Sequence, residues 1–541
     1  MLLFRDDYQP WMNIEYLNSR ILYKGSHAVA KDLLSAVSGR SKSSDILKNA
    51  LAYLGQAIEF SSGTIETESH IFAWTDHIRS WPIFYALASN DLVISGSAQQ
   101  VIDHAGLNTI DQDSMIEFAM SGFIGGSKTL YEGLFCLKPG EVLLYDKIKK
   151  KMEISRFFSY VTDTANKDSQ PQKISELGII IDTVIKEIIE RADGRTIWVP
   201  LSAGLDSRII LCKLLEFGYT NIKTFTYGPK YNFEAKYARK IAEKLDVPWQ
   251  LVSLTSRKIK QLFNSSRCQD YWNYAGNYKV IPAMGGLATM LYLSEQGSFK
   301  KGDIFINGQS GDYITGGHIF ITWFDEENGI GKDKFLQAIT AKHHSLWLSL
   351  KTDESLSVLE NRIGSLIADD WTNDNSFNTR AGQLELWEYD ARQICYVVNG
   401  QRIYDFLGYK WELPLWDRRL VEFCQHLPLS DKKGQALYKA YLAEYNYKGL
   451  FPDAEPKIWR WPLNMLWVIP VAKLFALLGQ KSNFYALMRY FGHYNDQFSV
   501  FPFQEHVKTF KKSRNVSSLS VRAWLLAHRK IVPKFILEAI E

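Results

Sequence analysis

Apolar and polar positions change rhythm near residue 160. Before it, apolar residues come in short β-branched and aromatic pieces separated by turn residues: 70–76 (HIFAWTD), 82–89 (PIFYALAS) and 91–97 (DLVISGS). Each predicts a strand. Residues 137–146 (LKPGEVLLYD) predict a Pro-Gly turn feeding another. The polar, breaker-rich stretch 160–173 predicts a linker. Strands then alternate with helices. Residues 196–202 (TIWVPLS) predict a strand, and the next segment puts Ile210, Leu214 and Phe217 on one helical face before a stop at Gly218. A strand at 221–228, a helix at 233–247 with Phe233, Tyr237, Ile241 and Leu245 one turn apart, and a strand at 249–254 follow. This alternation predicts a doubly wound parallel sheet. Beyond residue 320 the chain is rich in Trp and Tyr, helical by pattern and without internal repeat. The apolar segment 465–479 (MLWVIPVAKLFALLG) is too short to span a bilayer and carries Pro470 and Lys473. It predicts a buried or groove-lining helix, with membrane-surface contact as the alternative. The basic run 506–515 is compatible with such contact, and a solvated face explains it at least as well.

Length adds that 541 residues exceed one hydrophobic core, so two or more domains are expected. A net charge of +4 makes no case for a nucleic-acid partner. Five cysteines form no C-x-x-C pair, which predicts reduced thiols and a cytoplasmic protein. The opening MLLFRDDYQPWM lacks a basic start followed by a long apolar run, so no secretory signal is expected.

The candidate chemistry sits where the first strand of the second half meets its helix. Ser202, Gly204, Asp206 and Ser207 fall within six positions. Ligands of doubly wound sheets lie at strand carboxyl ends, and helix N-terminal N–H groups there suit phosphate. Small residues let the backbone curl round oxyanions. A carboxylate beside phosphate is repulsive, and a bridging Mg²⁺ resolves that. The plain alternative is a tight turn with Asp206 as helix cap. The loop lacks the Gly-Lys-Ser/Thr ending of a Walker A sequence. A second strand, inside 302–318 (GDIFINGQSGDYITGGH), leads into another Gly-rich turn with one carboxylate, Asp312. Two strand-end aspartates could grip one Mg²⁺–pyrophosphate; a turn aspartate is the alternative at 312.

Four stretches together resemble the asparagine synthase family. Ser202-Ala203-Gly204-Leu205-Asp206-Ser207 is similar to the family's S-G-G-x-D-S loop. Gly308-Gln309-Ser310-Gly311-Asp312-Tyr313, followed by Gly316 and Gly317, is similar to G-E-G-x-D-E and a Gly pair. Residues 413–428 resemble the P-F-L-D-x-x-L-V-E-F segment, and 126–146 the end of the glutaminase domain. The resemblance implies an α/β protein of two parts. Residues 1–165 would be a degenerate class II glutamine amidotransferase-like domain, an Ntn-hydrolase-like αββα sandwich. Residues 175–541 would be a doubly wound ATP-pyrophosphatase domain with a helical extension. It implies that Ser202, Gly204, Asp206 and Ser207 bind the pyrophosphate of ATP, with Gly308 and Gly311 also in the nucleotide site. Asp206 and Asp312 would hold Mg²⁺, and Leu201 and Tyr227 would border the adenine. The implied reaction is attack of a carboxylate on the α-phosphate, loss of pyrophosphate, and displacement of AMP by an amine. Lys457, with Arg460 second, would supply the cation at the α-phosphate, although its spacing to Pro462 is one residue shorter than the family's, and a solvated surface lysine is the alternative.

The sequence departs from the family in three places. Position 2 is Leu where amidotransferase members carry a catalytic cysteine, the nearest cysteine is Cys136, and the N-G-E-I-Y-N segment is not evident. The amino-terminal domain is therefore expected to be a scaffold, with nitrogen coming from free ammonia, another protein or a substrate amine. Gln309 replaces a glutamate and cannot titrate. Glu412 and Tyr389 are the candidates for a replacement base, a core position being the alternative for Tyr389. Ala203 replaces a glycine, which requires negative φ. The reading is an AMP-forming amide ligase for a small-molecule or sugar carboxylate, first a uronic acid, second a macrolactam or β-lactam ring closure. An inactive nucleotide-binding scaffold is the rival, a tRNA-modifying ATP-pyrophosphatase is disfavoured, and the oligomeric state is open.

Overall fold

The computed structural model describes residues 1–16, 18–38, 42–163, 165–228, 230, 233–282, 286–319, 330–367, 374, 376–452, 468–480, 484, 501, 503–510, 512–514 and 517–541. The amino-terminal half contains β1 (Met12–Tyr16), β2 (Ser19–Gly25), α1 (His27–Val37), α2 (Ser43–Leu54), β3 (Ser61–Glu66), β4 (His70–Thr75), β5 (Phe84–Ala88) and β6 (Asp91–Ser95). It continues with α3 (Ala98–Ala105), α4 (Gln112–Ser121), β7 (Phe135–Cys136), β8 (Glu141–Asp146) and β9 (Lys151–Arg156). Six strands form an antiparallel sheet in the order β1-β2-β3-β4-β8-β9, and three form a second sheet, β6-β5-β7. Strand alternation sorts the faces. Ile71 and Ala73 of β4 and Leu143 and Tyr145 of β8 meet Tyr85 and Ile94 of the small sheet. Their neighbours Phe72, Trp74, Val142 and Leu144 face Leu33 of α1 and Ile46 of α2 instead. Helix α3 covers the outer face of the small sheet through Val101 and Ile102. The layers run helix, sheet, sheet, helix.

The carboxyl-terminal half opens with α5 (Gln170–Ala192), β10 (Ile197–Pro200), α6 (Leu205–Glu216), β11 (Ile222–Tyr227), α7 (Phe233–Leu245) and β12 (Trp249–Val252). β13 (Ile304–Ile306) and β14 (Lys410–Glu412) complete a sheet ordered β12-β11-β10-β13-β14, with every pairing parallel. The chain winds outward from β10 to β12 and returns on the other side of β10 with β13. That reversal puts a crevice between the carboxyl ends of β10 and β13.

One buried cluster runs across both halves: Ile78, Trp81, Phe158 and Tyr160 pack with the core of the parallel sheet. Arg156 forms a two-pronged ion pair with Asp390, at 2.6 and 3.1 Å. Burial lowers the His77 pKa to about 4, so the neutral ring donates from Nε2 to the Trp416 carbonyl at 2.7 Å. Farther along the chain, the helices Ser518–Ala527 and Lys534–Ile540 bury Val521, Trp524, Ile536 and Ile540 against Met115, Phe118 and Met120 of α4.

Two expectations need correction. The stretch 160–173 is not a loose linker: Tyr160 is fully buried, the Asp163 and Asn166 N–H groups donate to the Gln425 and His426 carbonyls, and α5 begins at Gln170. Its polarity serves hydrogen bonds to neighbouring backbone. The apolar segment 465–479, where described, is the helix Val468–Leu477 and its end, but it is not a buried helix. Leu474, Leu477 and Leu478 are 54, 85 and 64% exposed.

Candidate active site

The first loop links β10 to α6 through residues 201–204. Gly204 takes an extended conformation at the helix cap and places no side chain on the first N–H groups of α6. Those groups, which no side chain caps, suit an anion. The loop closes on its own hydroxyls. Gly204 N–H donates to Ser202 Oγ at 3.0 Å, Ser202 N–H donates to Ser207 Oγ at 3.2 Å, and the two hydroxyls lie 3.1 Å apart. Buried Arg208 fixes the loop from behind by donating to the Ala203 carbonyl (2.8 Å) and the Leu450 carbonyl (2.7 Å). Ala203 is not among the residues with positive φ, so its Cβ is accommodated.

The second loop, after β13, packs directly on the first. A Cβ on Gly308 would stand 2.7 Å from the Ser207 nitrogen, and one on Gly311 would stand 2.5 Å from Asp206 Cγ. Any side chain at either position would push the two loops apart. Gly316 has φ +92° and its Cβ would meet the Lys432 carbonyl at 2.3 Å, so the Gly pair also permits a close approach.

These contacts bring Asp206 and Asp312 together. The Asp312 N–H donates to the Asp206 carboxylate, and Tyr438 OH donates to Asp206 Oδ1 at 3.1 Å. Burial, with the Asp312 charge adding to it, still pushes Asp206 up to about 7. A cation between the two carboxylates would favour the ionised form of Asp206. Among the described residues no group of three or more His, Cys, Asp or Glu side chains could hold a metal. Two carboxylates alone fit Mg²⁺, which takes one or two of them and completes its shell with phosphate oxygens and water.

Behind Asp312 stands an arrangement that spacing did not reveal. His318 Nε2 lies 2.9 Å from Asp312 Oδ2, and its Nδ1 lies 2.5 Å from Glu388 Oε1. Arg392 and Gln393 donate to the same Glu388 oxygen at 2.9 and 3.1 Å. Burial disfavours the charged ring, but hydrogen bonds to Asp312 and Glu388 outweigh it and raise His318 to about 9. Burial also opposes ionisation of Glu388, yet His318 holds it down at about 2. Asp312 is lowered in the same way: burial opposes ionisation and the His318 contact prevails. The only sequence cue to His318 was its place after Gly316-Gly317; Glu388, Gln393 and Tyr438 carried none. Glu388 ends the helix Phe377–Glu388, and the next nine residues, Tyr389–Val397, wind as a π-helix, a distortion frequent at functional sites. Ser310 Oγ donates to Gln393 in that stretch at 2.8 Å.

Between the strand ends lies a cavity of about 300 Å³. Ser202, Gly204, Asp206, Ser207, Tyr227 and Gly308 line one part of it. Asn307, Gln309, Gln401 and Tyr404 line another. Gln401 donates to Gln309 Oε1, and Asn307 donates to Gln401 Oε1 at 3.0 Å, so this wall is a chain of neutral amides. Asp206 is the one carboxylate lining the cavity among the described residues.

Other expected residues fall elsewhere. Leu201 is 2% exposed and does not line the cavity; its carbonyl accepts from Thr226 Oγ1 at 2.7 Å. Tyr389 is fully buried, and its hydroxyl donates to the His77 carbonyl. Glu412 ends β14, but Arg191 holds its carboxylate with two hydrogen bonds of 3.1 Å. These two candidate bases do not pair with each other, because each is engaged on a different element. Lys457, Arg460 and Pro462 lie outside the described residues.

A parallel sheet whose switch-point loops present unpaired helix N–H groups, hydroxyls and facing carboxylates defines a class of nucleotide-type α/β site. Within that class, residues 192–454 match the model of the asparagine synthase family. A 124-residue stretch is also 28% identical to 7-cyano-7-deazaguanine synthase of Caldicellulosiruptor saccharolyticus, covering 21% of this chain and 54% of that protein. The chain thus spans about half the length of the curated relative it matches. Among solved structures, the B. subtilis glutamine phosphoribosylpyrophosphate amidotransferase complexed with ADP and GMP is 11% identical, over 48% of this chain and 76% of that one, with a TM-score of 0.18. The glutamine-dependent NAD⁺ synthetase of Acinetobacter baumannii in complex with ADP is 10% identical, over 53% and 66%, with a TM-score of 0.19. Scores that low establish no shared fold.

Proposed function

We propose that this chain is an ATP-dependent ligase that activates a substrate carboxylate and joins it to ammonia or an amine. A carboxylate oxygen bonds to the α-phosphorus of ATP while the bond to pyrophosphate breaks. The amine then bonds to the acyl carbon, AMP leaves, and one proton is lost from nitrogen. The single observation carrying this reading is the contact of Asp206 with Asp312 at the crevice between β10 and β13, within an asparagine synthase family domain.

The amides opening α6 and the hydroxyls of Ser202 and Ser207 are proposed to receive the pyrophosphate, and the Tyr227 side of the cavity the adenine. Asp206 and Asp312 would hold Mg²⁺, which when bound offsets phosphate charge. His318 keeps Asp312 ionised and aimed. Lys457 remains the proposed cation at the α-phosphate. The neutral wall of Asn307, Gln309 and Gln401 suits a hydroxylated substrate such as a uronic acid, since amides donate and accept but repel no charge. The antiparallel half is proposed to be a class II amidotransferase-like scaffold without glutaminase action. Its cysteine, Cys136, is fully buried, burial raises its pKa, and its thiol faces Arg79 and the Leu137 carbonyl. All five thiols are free and buried, which agrees with a cytoplasmic location.

The test is incubation of candidate carboxylates, uronic acids first, with ATP, Mg²⁺ and ammonium, followed by mass spectrometry. AMP, pyrophosphate and a product about one mass unit lighter support amidation, while loss of water without ammonium means ring closure. Release of ADP and phosphate, or no turnover across the panel together with no nucleotide binding, defeats the reading.

A further inference from the structure

The helix Val468–Leu477 leaves an apolar face open. Leu474, Leu477 and Leu478 stand at i, i+3 and i+4, so they share one side. All three are more than half exposed, Leu477 at 85%. Phe475, by contrast, makes a ring contact with buried Phe484, with centroids 5.7 Å apart. Isolated exposed leucines need no explanation, but a contiguous set on one helix face marks a contact surface.

The charge pattern selects the occupant. From 456 to 495 the sequence contains no Asp or Glu, and besides Lys457 and Arg460, assigned above to the α-phosphate, it carries the cations Lys473, Lys481 and Arg489. The same forty residues hold nine aromatic side chains. A second copy of this stretch would bring like charges together and offer no anion. An anionic lipid surface supplies the anions that this stretch lacks. Lys473 is exposed and one turn before Leu477, so its stem can follow the apolar face while its ammonium stays in water. Ten residues rise only about 15 Å, half of a bilayer core. No helix among the described residues is long and apolar enough to cross a membrane. The stretch also lies beyond the family-matched segment 192–454.

We infer that the helix Val468–Leu477 is a surface anchor that lies in the plane of an anionic membrane, with Leu474, Leu477 and Leu478 dipping into the headgroup–acyl boundary. This rests on exposure and charge and does not depend on the ligase reading.

Co-sedimentation of the full chain with lipid vesicles tests it. Vesicles of phosphatidylcholine with about 30% phosphatidylglycerol should bind the protein roughly tenfold more tightly than pure phosphatidylcholine, an advantage that high salt removes. The double variant Leu474→Ser/Leu477→Ser should lose at least about tenfold in partitioning, and Lys473→Glu a comparable amount. These residues are exposed, so melting temperature should be unchanged, and Leu477→Ser alone serves if the double variant folds poorly. The inference fails if the wild type ignores both vesicle types, or if the leucine variants bind as well as the wild type. It fails equally if light scattering shows a dimer that these variants convert to monomer, because the face then joins two copies of the chain.

Discussion

His318 Nε2 lies 2.9 Å from Asp312 Oδ2, and the same ring reaches buried Glu388 on its other side. The imidazole therefore fixes Oδ2 of a carboxylate whose Oδ1 accepts from the Tyr313 N–H at 2.9 Å. Replacing His318 by Ala should weaken Mg²⁺ affinity, raising the metal concentration for half-maximal pyrophosphate release by roughly tenfold, as loss of an outer support typically does. His318→Gln, which keeps a hydrogen bond to Asp312, should recover part of the loss. A titration of initial rate against Mg²⁺ decides the matter; identical curves would remove His318 from the site.

Asp206 should show opposed effects on activity and stability. Asp206→Asn removes a proposed metal ligand and is expected to cut AMP formation by at least about a hundredfold. It also relieves repulsion between two close carboxylates, so the variant should melt higher, by about 1–2 kcal/mol of stability after allowance for solvent at the cavity. Activity by pyrophosphate assay and melting by calorimetry in metal-free buffer give the two readings. A variant that melts lower would mean the carboxylates do not oppose one another.

Gly311→Ala tests the close approach of the loops. Its Cβ would stand 2.5 Å from Asp206 Cγ and equally close to Leu415 Cδ1, so something must move. A shift of about 1 Å at Asp206 should cost on the order of a hundredfold in rate, with stability falling by about 1–3 kcal/mol. Gly331→Ala, whose Cβ meets nothing within 4 Å and whose φ of −67° suits alanine, is the control for rate.

The junction between the halves should be acid-sensitive through His77. Its pKa is about 4 when folded and near 6.5 when unfolded, a depressed value. Below pH 6.5 the unfolded chain binds a proton that the folded one refuses, so stability falls as pH drops from about 6.5 to 4. The full effect is about 3 kcal/mol. His77→Gln keeps a donor for the Trp416 carbonyl and should flatten that part of the stability–pH curve; an unchanged slope would place the acid sensitivity elsewhere.

Local signals in the sequence were enough to reveal the elements around the site. Strand-forming runs at 196–202, 221–228 and 249–254 became β10, β11 and β12, and the helix at 233–247 became α7. Ser202, Gly204, Asp206 and Ser207 were legible because a strand, a small-residue turn and a helix start are written within a few positions. The spacing of Gly308 and Gly311 was legible too, although its reason, the collision with Asp206, was not. Most of the amino-terminal helices, α1 and α2 among them, passed unread.

What only the tertiary structure decided depends on long-range packing. Asp312 reaches Asp206 because β13 pairs with β10, and β14 joins that sheet from far along the chain. His318 meets Glu388 at the end of its helix, and Gln393 of the π-helical stretch that follows reaches Ser310 in the second loop. Tyr389, one residue on, points into the core instead, a difference of helical phase that composition does not encode. The apolar run at 465–479 reads the same whether it is buried or bare. Hydrophobicity states what a segment gains on leaving water, and only the fold determines whether a neighbour is there to cover it.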